Sequence, residues 1–132
     1  MEKIAMVLRS LQLYAHQAHN LISGKEFFAD HGFLGELYPA YEADYDDVIE
    51  RSIGLGKPIN IKKVNQAAAE SLQDDSSVKE NCFEEILQSE EYLCEVIQDS
   101  LEGLSEGTRQ LLGGIADKSE MRQYKLKQRI AG

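Results

Sequence analysis

The chain has 132 residues, 42% hydrophobic and 28% charged, with two prolines, two cysteines and a net charge of −9. That is the size of one domain, residues 1–132, with apolar content that suits a core rather than a disordered chain. The negative balance weighs against a general nucleic-acid binder, and no run is long and apolar enough to cross a membrane.

The N-terminus is too polar for a signal peptide, so a cytoplasmic protein is expected. A first helix is predicted almost from the terminus, with Ile4, Val7, Leu8, Leu11, Ala15 and Ala18 on one face and His19 continuing it. Ser23 and Glu26 have capping-box spacing and are expected to start a second, long helix. Along it Leu34, Leu37, Tyr38, Tyr41, Tyr45, Val48 and Ile49 recur every three or four positions, until Gly54-Leu55-Gly56-Lys57-Pro58 stops the run. Ile59 to Leu72 reads as a short connecting helix with Val64, Ala67 and Ala68 turned inward. Ser77 and Glu80 repeat the capping-box spacing before a third long helix carrying Phe83, Ile86, Leu87, Leu93, Cys94, Ile97 and Leu101. Gly103 should end it, and Ser105 should cap a weaker fourth helix with Gly113-Gly114 inside and Leu111, Leu112, Ile115, Leu126 and Ile130 as its core. Cys82 and Cys94 lie about 18 Å apart along one helix, so they cannot pair and are expected as small core residues. Three long helices and a weaker fourth suit an all-α four-helix bundle, although loop lengths alone fit other helical folds.

The chemistry-bearing residues concentrate between His19 and Arg51. Asp46 and Glu50 are four apart and share a helical face, the spacing with which two carboxylates grip one cation. His31 precedes Asp46 by fifteen residues, roughly 22 Å along a helix axis, so no metal ion touches both within one chain. An antiparallel copy related by a two-fold axis near residues 39 and 40 would bring His31 of one chain to Asp46 and Glu50 of the other, with His19 joining from the preceding helix. Asp47 lies off that face, Asp44 is a poorer alternative, and His16 is a core-edge or exposed histidine one turn before His19. Asp30 and Glu36 flank the site as candidates to guide a metal or tune His31.

The segment Gln17-Ala18-His19-Asn20, then twelve residues from His19 to His31, fifteen to Asp46 and four to Glu50, followed by Arg51, resembles the Dps mini-ferritins. The likeness is densest from Leu13 to Pro58. It implies a ferritin-like antiparallel four-helix bundle with a short helix in the long crossover between helices two and three, assembled from two-fold dimers into a hollow dodecamer. It implies non-haem iron, Fe(II) oxidised to Fe(III), preferably by hydrogen peroxide, and ferric mineral stored inside. By position the metal-binding and catalytic residues would be His19 and His31 from one subunit with Asp46 and Glu50 from its neighbour, and Glu36 as an added candidate. The family usually has tryptophan after the first histidine, where this chain has Asn20, and aspartate four residues after the second, where it has Gly35. Gly35 also stands four residues before Pro39, which removes that carbonyl's helical hydrogen bond, so a kink or bulge at residues 35 to 39 is expected to re-aim Glu36 or the Gly35 carbonyl.

Tyrosines are expected mainly as packing residues, with Tyr41 and Tyr45 near the two-fold as interface candidates; a tyrosine taking an oxidising equivalent in place of the family's tryptophan is the lesser alternative. Dps proteins often bind DNA through lysine-rich tails. Here Met1-Glu2-Lys3 leads straight into a helix and only Ala131-Gly132 follow Ile130, so DNA binding is expected to be weak or absent. Arg122, Lys125, Lys127 and Arg129 instead suit a helix C-terminus. The alternatives are a ferritin-like shell that has lost ferroxidase activity, and a di-iron site inside each subunit. The latter needs Glu-x-x-His pairs, and no histidine here has an acid three residues before it.

Overall fold

A computed structural model describes all residues, 1–132, as five helices and no strands. They are α1 (Glu2–Leu21), α2 (Phe27–Gly54), α3 (Ile61–Glu70), α4 (Asp75–Ser100) and α5 (Glu106–Ala131). The predicted helices are all present, and α3 is the short connecting one, trimmed by two residues at each end. None is long and apolar enough to cross a membrane.

Side-chain pairs fix the helix directions. Along α1 and α2, Arg9 covers the Tyr45 ring, Gln12 bonds Glu42 and His19 stacks on His31, so the two run antiparallel. Arg51–Thr108, Asp44–Lys118 and Asp30–Arg129 set α2 antiparallel to α5. Arg109 to the Leu101 carbonyl and Arg122 to Glu90 set α5 antiparallel to α4. It follows that α2 and α4 are parallel, and the chain must return along the bundle between them. It does so beside α1, where Lys63 pairs with Glu2 and Ser71 with Ser10.

The core is one cluster of 25 buried residues drawn from all five helices. All seven apolar positions predicted for α2 point inward, six fully buried and Tyr38 half-buried. The helix starts were read less well. Ser23 and Glu26 make no capping box: Gly24 takes a positive φ of 104°, its carbonyl accepts from the Phe27 amide, and α2 begins there with no side-chain cap. Asp74, not Ser77, caps α4, accepting from the Ser77 amide and the Ser76 hydroxyl, which hold its carboxyl below the usual range. Ser105 caps α5 as expected, after Gly103 at φ +80°. Ile130 is exposed rather than core.

The expected bulge at residues 35 to 39 is absent. Every residue of α2 keeps helical backbone through Pro39, and Glu36 stays exposed. Pro39 is itself exposed, which leaves the Gly35 carbonyl without its amide partner on the open side of the helix. The one departure from helical backbone within the long helices is in α4, at Asn81 (φ −125°, ψ 16°).

Candidate metal centre

The last turn of α1 and the first turns of α2 bring two imidazoles together. The His19 and His31 rings stack with centroids 3.8 Å apart, and Phe27 closes the far side of His31 at 4.8 Å. His19 Nδ1 lies 2.9 Å from the His31 carbonyl oxygen. A carbonyl only accepts, so Nδ1 carries the hydrogen, and in the neutral ring that tautomer leaves the lone pair on Nε2. A histidine oriented by a backbone carbonyl in this way is prepared to ligate a metal through the other nitrogen.

Gly35 is what lets the ring sit there. A Cβ at this position would lie 3.0 Å from His19 Cε1 and 3.2 Å from Nδ1. The absence of a side chain therefore makes room for the imidazole, and a glycine brings no carboxylate to this end of the site.

Asp46 and Glu50 lie on the exposed face of α2, without a hydrogen-bond or ion-pair partner. Both are free to ligate. Within one chain no three His, Cys, Asp or Glu side chains converge as a metal site. His31 and the two carboxylates share one continuous helix, with about 22 Å along its axis between His31 and Asp46, while His19 stands on α1.

The flanking candidates divide. Asp47 and Glu36 are exposed. His16 is exposed and stacks on Tyr38 at 4.0 Å, its ring centroid 6.4 Å from that of His19. Asp30 does not tune His31: it is buried and clamped by Arg129 through two bonds of 2.9 and 2.8 Å. That clamp, led by the Asp30 hydrogen bonds, raises the Arg129 pKa and keeps the guanidinium charged. Asp44 is buried against Lys118. Tyr41 and Tyr45 are not interface residues either, because both are buried within their own bundle.

A second polar cluster lies at the centre of the bundle. Glu90 is 0% exposed, accepts from Tyr41 Oη at 2.6 Å, and receives both Arg122 Nε and, at 3.3 Å, Arg122 Nη2. Burial works against the Arg122 charge, but the Glu90 hydrogen bond and charge outweigh it and raise its pKa. Burial first, then the Glu90 charge, push the Tyr41 phenol well above its ordinary value. Sequence reading missed this cluster. The signal was present: Glu90 falls at core spacing between Ile86 and Leu93, as Arg122 does between Ser119 and Leu126.

No family model and no curated protein matches the sequence.

Proposed function

We propose that the chain is a Dps-like ferroxidase and iron-storage subunit, its bundle of the ferritin type with α3 in the crossover, that oxidises Fe(II) at sites shared between two copies. The observation that carries this reading is the uncovered face of α2. Phe28 (90% exposed) and Ile53 (54% exposed) stand at its two ends, Gly32, Gly35, Pro39 and Ala43 lie between, and Asp46 and Glu50 project from it unpaired. Small residues let two helices approach closely, and the apolar ends are nearly equidistant from residue 40. An antiparallel copy about that point brings the His19–His31 pair to the partner's Asp46 and Glu50. Imidazole and carboxylate together suit ferrous iron. Two Fe(II) ions, one hydrogen peroxide and two protons give two Fe(III) and two waters, so oxidation also removes the ingredients of hydroxyl-radical chemistry. The ferric product would be stored in a closed homo-oligomer, a dodecamer by the family resemblance.

The test is peroxide-driven Fe(II) oxidation by the protein and its Asp46→Ala/Glu50→Ala variant at equal assembly state. Fast oxidation that the variant loses supports the shared site. Equal background rates support the second reading, an assembled shell without turnover, which Gly35 favours because it brings no carboxylate to the histidines.

A further inference from the structure

The opening turns of α2 carry two things the candidate centre needs: the His31 ring and the carbonyl that orients His19. Little within those turns holds them in place. Glu26 precedes them without a side-chain cap, the Gly24 turn leads into them at φ 104°, and Ser23, Lys25, Glu26, Phe28 and Ala29 are all exposed. Between Ile22 and Ala40 one side chain alone makes a hydrogen bond or ion pair, and it is that of Asp30. Its partner comes from the far end of the chain. Arg129, in the last turn of α5, approaches with two bonds, Nε to Oδ1 at 2.9 Å and Nη2 to Oδ2 at 2.8 Å. Its guanidinium carbon also lies 4.7 Å from the centre of the Phe83 ring on α4. A planar fork held at two nitrogens fixes direction as well as distance, which a point charge does not.

We propose that Arg129 is a positioning residue for the histidine half of the metal centre. Through Asp30 it sets the rotation of the opening turns of α2, so that the His31 carbonyl meets His19 Nδ1 and leaves Nε2 as the ligating nitrogen. This rests on the interfacial-site reading. Asp30 makes no bond to the His31 ring; it acts on the backbone beside it. A hydrogen bond weakens steeply as its angle closes towards about 120°, so a small rotation of that turn releases Nδ1. Once released, the neutral His19 ring is free to carry its hydrogen on either nitrogen. The form with Nε2 protonated cannot ligate through that atom. The last turn of α5 thereby becomes part of the support of a site whose histidines stand on α1 and α2.

Nitrogen-15 spectra of the histidine rings, taken on the metal-free protein at about pH 8, above the ordinary histidine range, decide it. The native protein is expected to show His19 in the Nδ1–H form, and a native ring protonated at Nε2 overturns the proposal. Arg129→Met keeps a side chain over Phe83 but removes the fork. It is expected to give a mixture of both tautomers at unchanged helicity, and Arg129→Lys to recover part of the native signal. Leu126→Ala loosens the same helix from its core side and leaves the clamp in place, so it should keep the native form. A pure Nδ1–H signal in Arg129→Met overturns the proposal. Equal scrambling in Leu126→Ala overturns it too, because the effect is then one of general stability. Where Arg129→Met does not fold, Asp30→Asn, which keeps the shape and one acceptor, is read by the same criteria. Zn(II), a redox-inert probe, is then titrated into both assemblies. Affinity about tenfold weaker in Arg129→Met is expected, and equal affinity overturns the role at the metal. Iron oxidation that does not depend on Asp46 and Glu50 ends the shared-site reading, while the ring spectra still decide whether Arg129 orients His19.

Discussion

Glu90 and Arg122 form a buried ion pair, and the energy of such a pair is asymmetric. Removing one partner strands a charge, whereas removing both leaves only a packing problem. Glu90→Ala is therefore expected to lower stability by about 3–5 kcal/mol in urea unfolding, and Glu90→Leu/Arg122→Leu to cost far less. A double variant as unstable as the single one would show that the pair holds the bundle in register. Cys82 supplies a pH signature of its own. Burial, then the charges of Glu84 and Asp30, push its thiol up from 9.0 to about 11. Its folded pKa lies above its unfolded one, so its contribution to stability is complete below about pH 9 and is lost as pH rises towards about 11. Urea midpoints measured across that window should fall in the native chain and fall less in Cys82→Ala.

At the scale of helices, apolar spacing was enough to place all five elements and the buried face of α2, because packing needs little more than the right period. The ends were harder. Ser23 and Glu26 carry the spacing of a cap, yet the Gly24 turn delivers its own carbonyl to the Phe27 amide and makes the cap unnecessary. The histidine half of the site was legible because His19 and His31 sit at the two sides of a short turn. The role of Gly35 was not, because a glycine's purpose depends on which side chain occupies the space it leaves. The same holds for Glu90 and Arg122: a charged residue at core spacing gains meaning only when its partner on another helix is known. Two glycine substitutions separate these effects. Gly113 is helical with nothing within 4 Å of an added Cβ, so Gly113→Ala should stabilise α5 by about 0.5–1 kcal/mol. Gly35→Ala gains the same helix propensity but presses on His19 Cε1. It should leave thermal stability almost unchanged while displacing the His19 ring resonances, which proton NMR would record.

For the whole molecule, charge placement bears on nucleic acid and on assembly. Of the four basic residues in the last twelve positions, Arg122 is buried on Glu90 and Arg129 is clamped by Asp30, leaving Lys125 and Lys127 outward. Two exposed lysines on a chain of net charge −9 neutralise few phosphates. No gel shift is expected with duplex DNA at physiological salt, and a shift lost on neutralising those lysines would reverse that expectation. Ala43 is exposed near the middle of the uncovered α2 face. Ala43→Arg should keep native helicity by circular dichroism yet run as a smaller species on size exclusion if that face joins two copies.

The filled centre of the bundle has a consequence for how activity scales. Arg122 and Lys118 already place positive charge against Glu90 and Asp44, which weighs against an iron ion inside a subunit. On the proposed reading all chemistry then belongs to the seam between chains. A seam obeys mass action. Below the dissociation constant of the pair, activity per chain should fall with dilution, and a newly made subunit would stay inert until it meets a second.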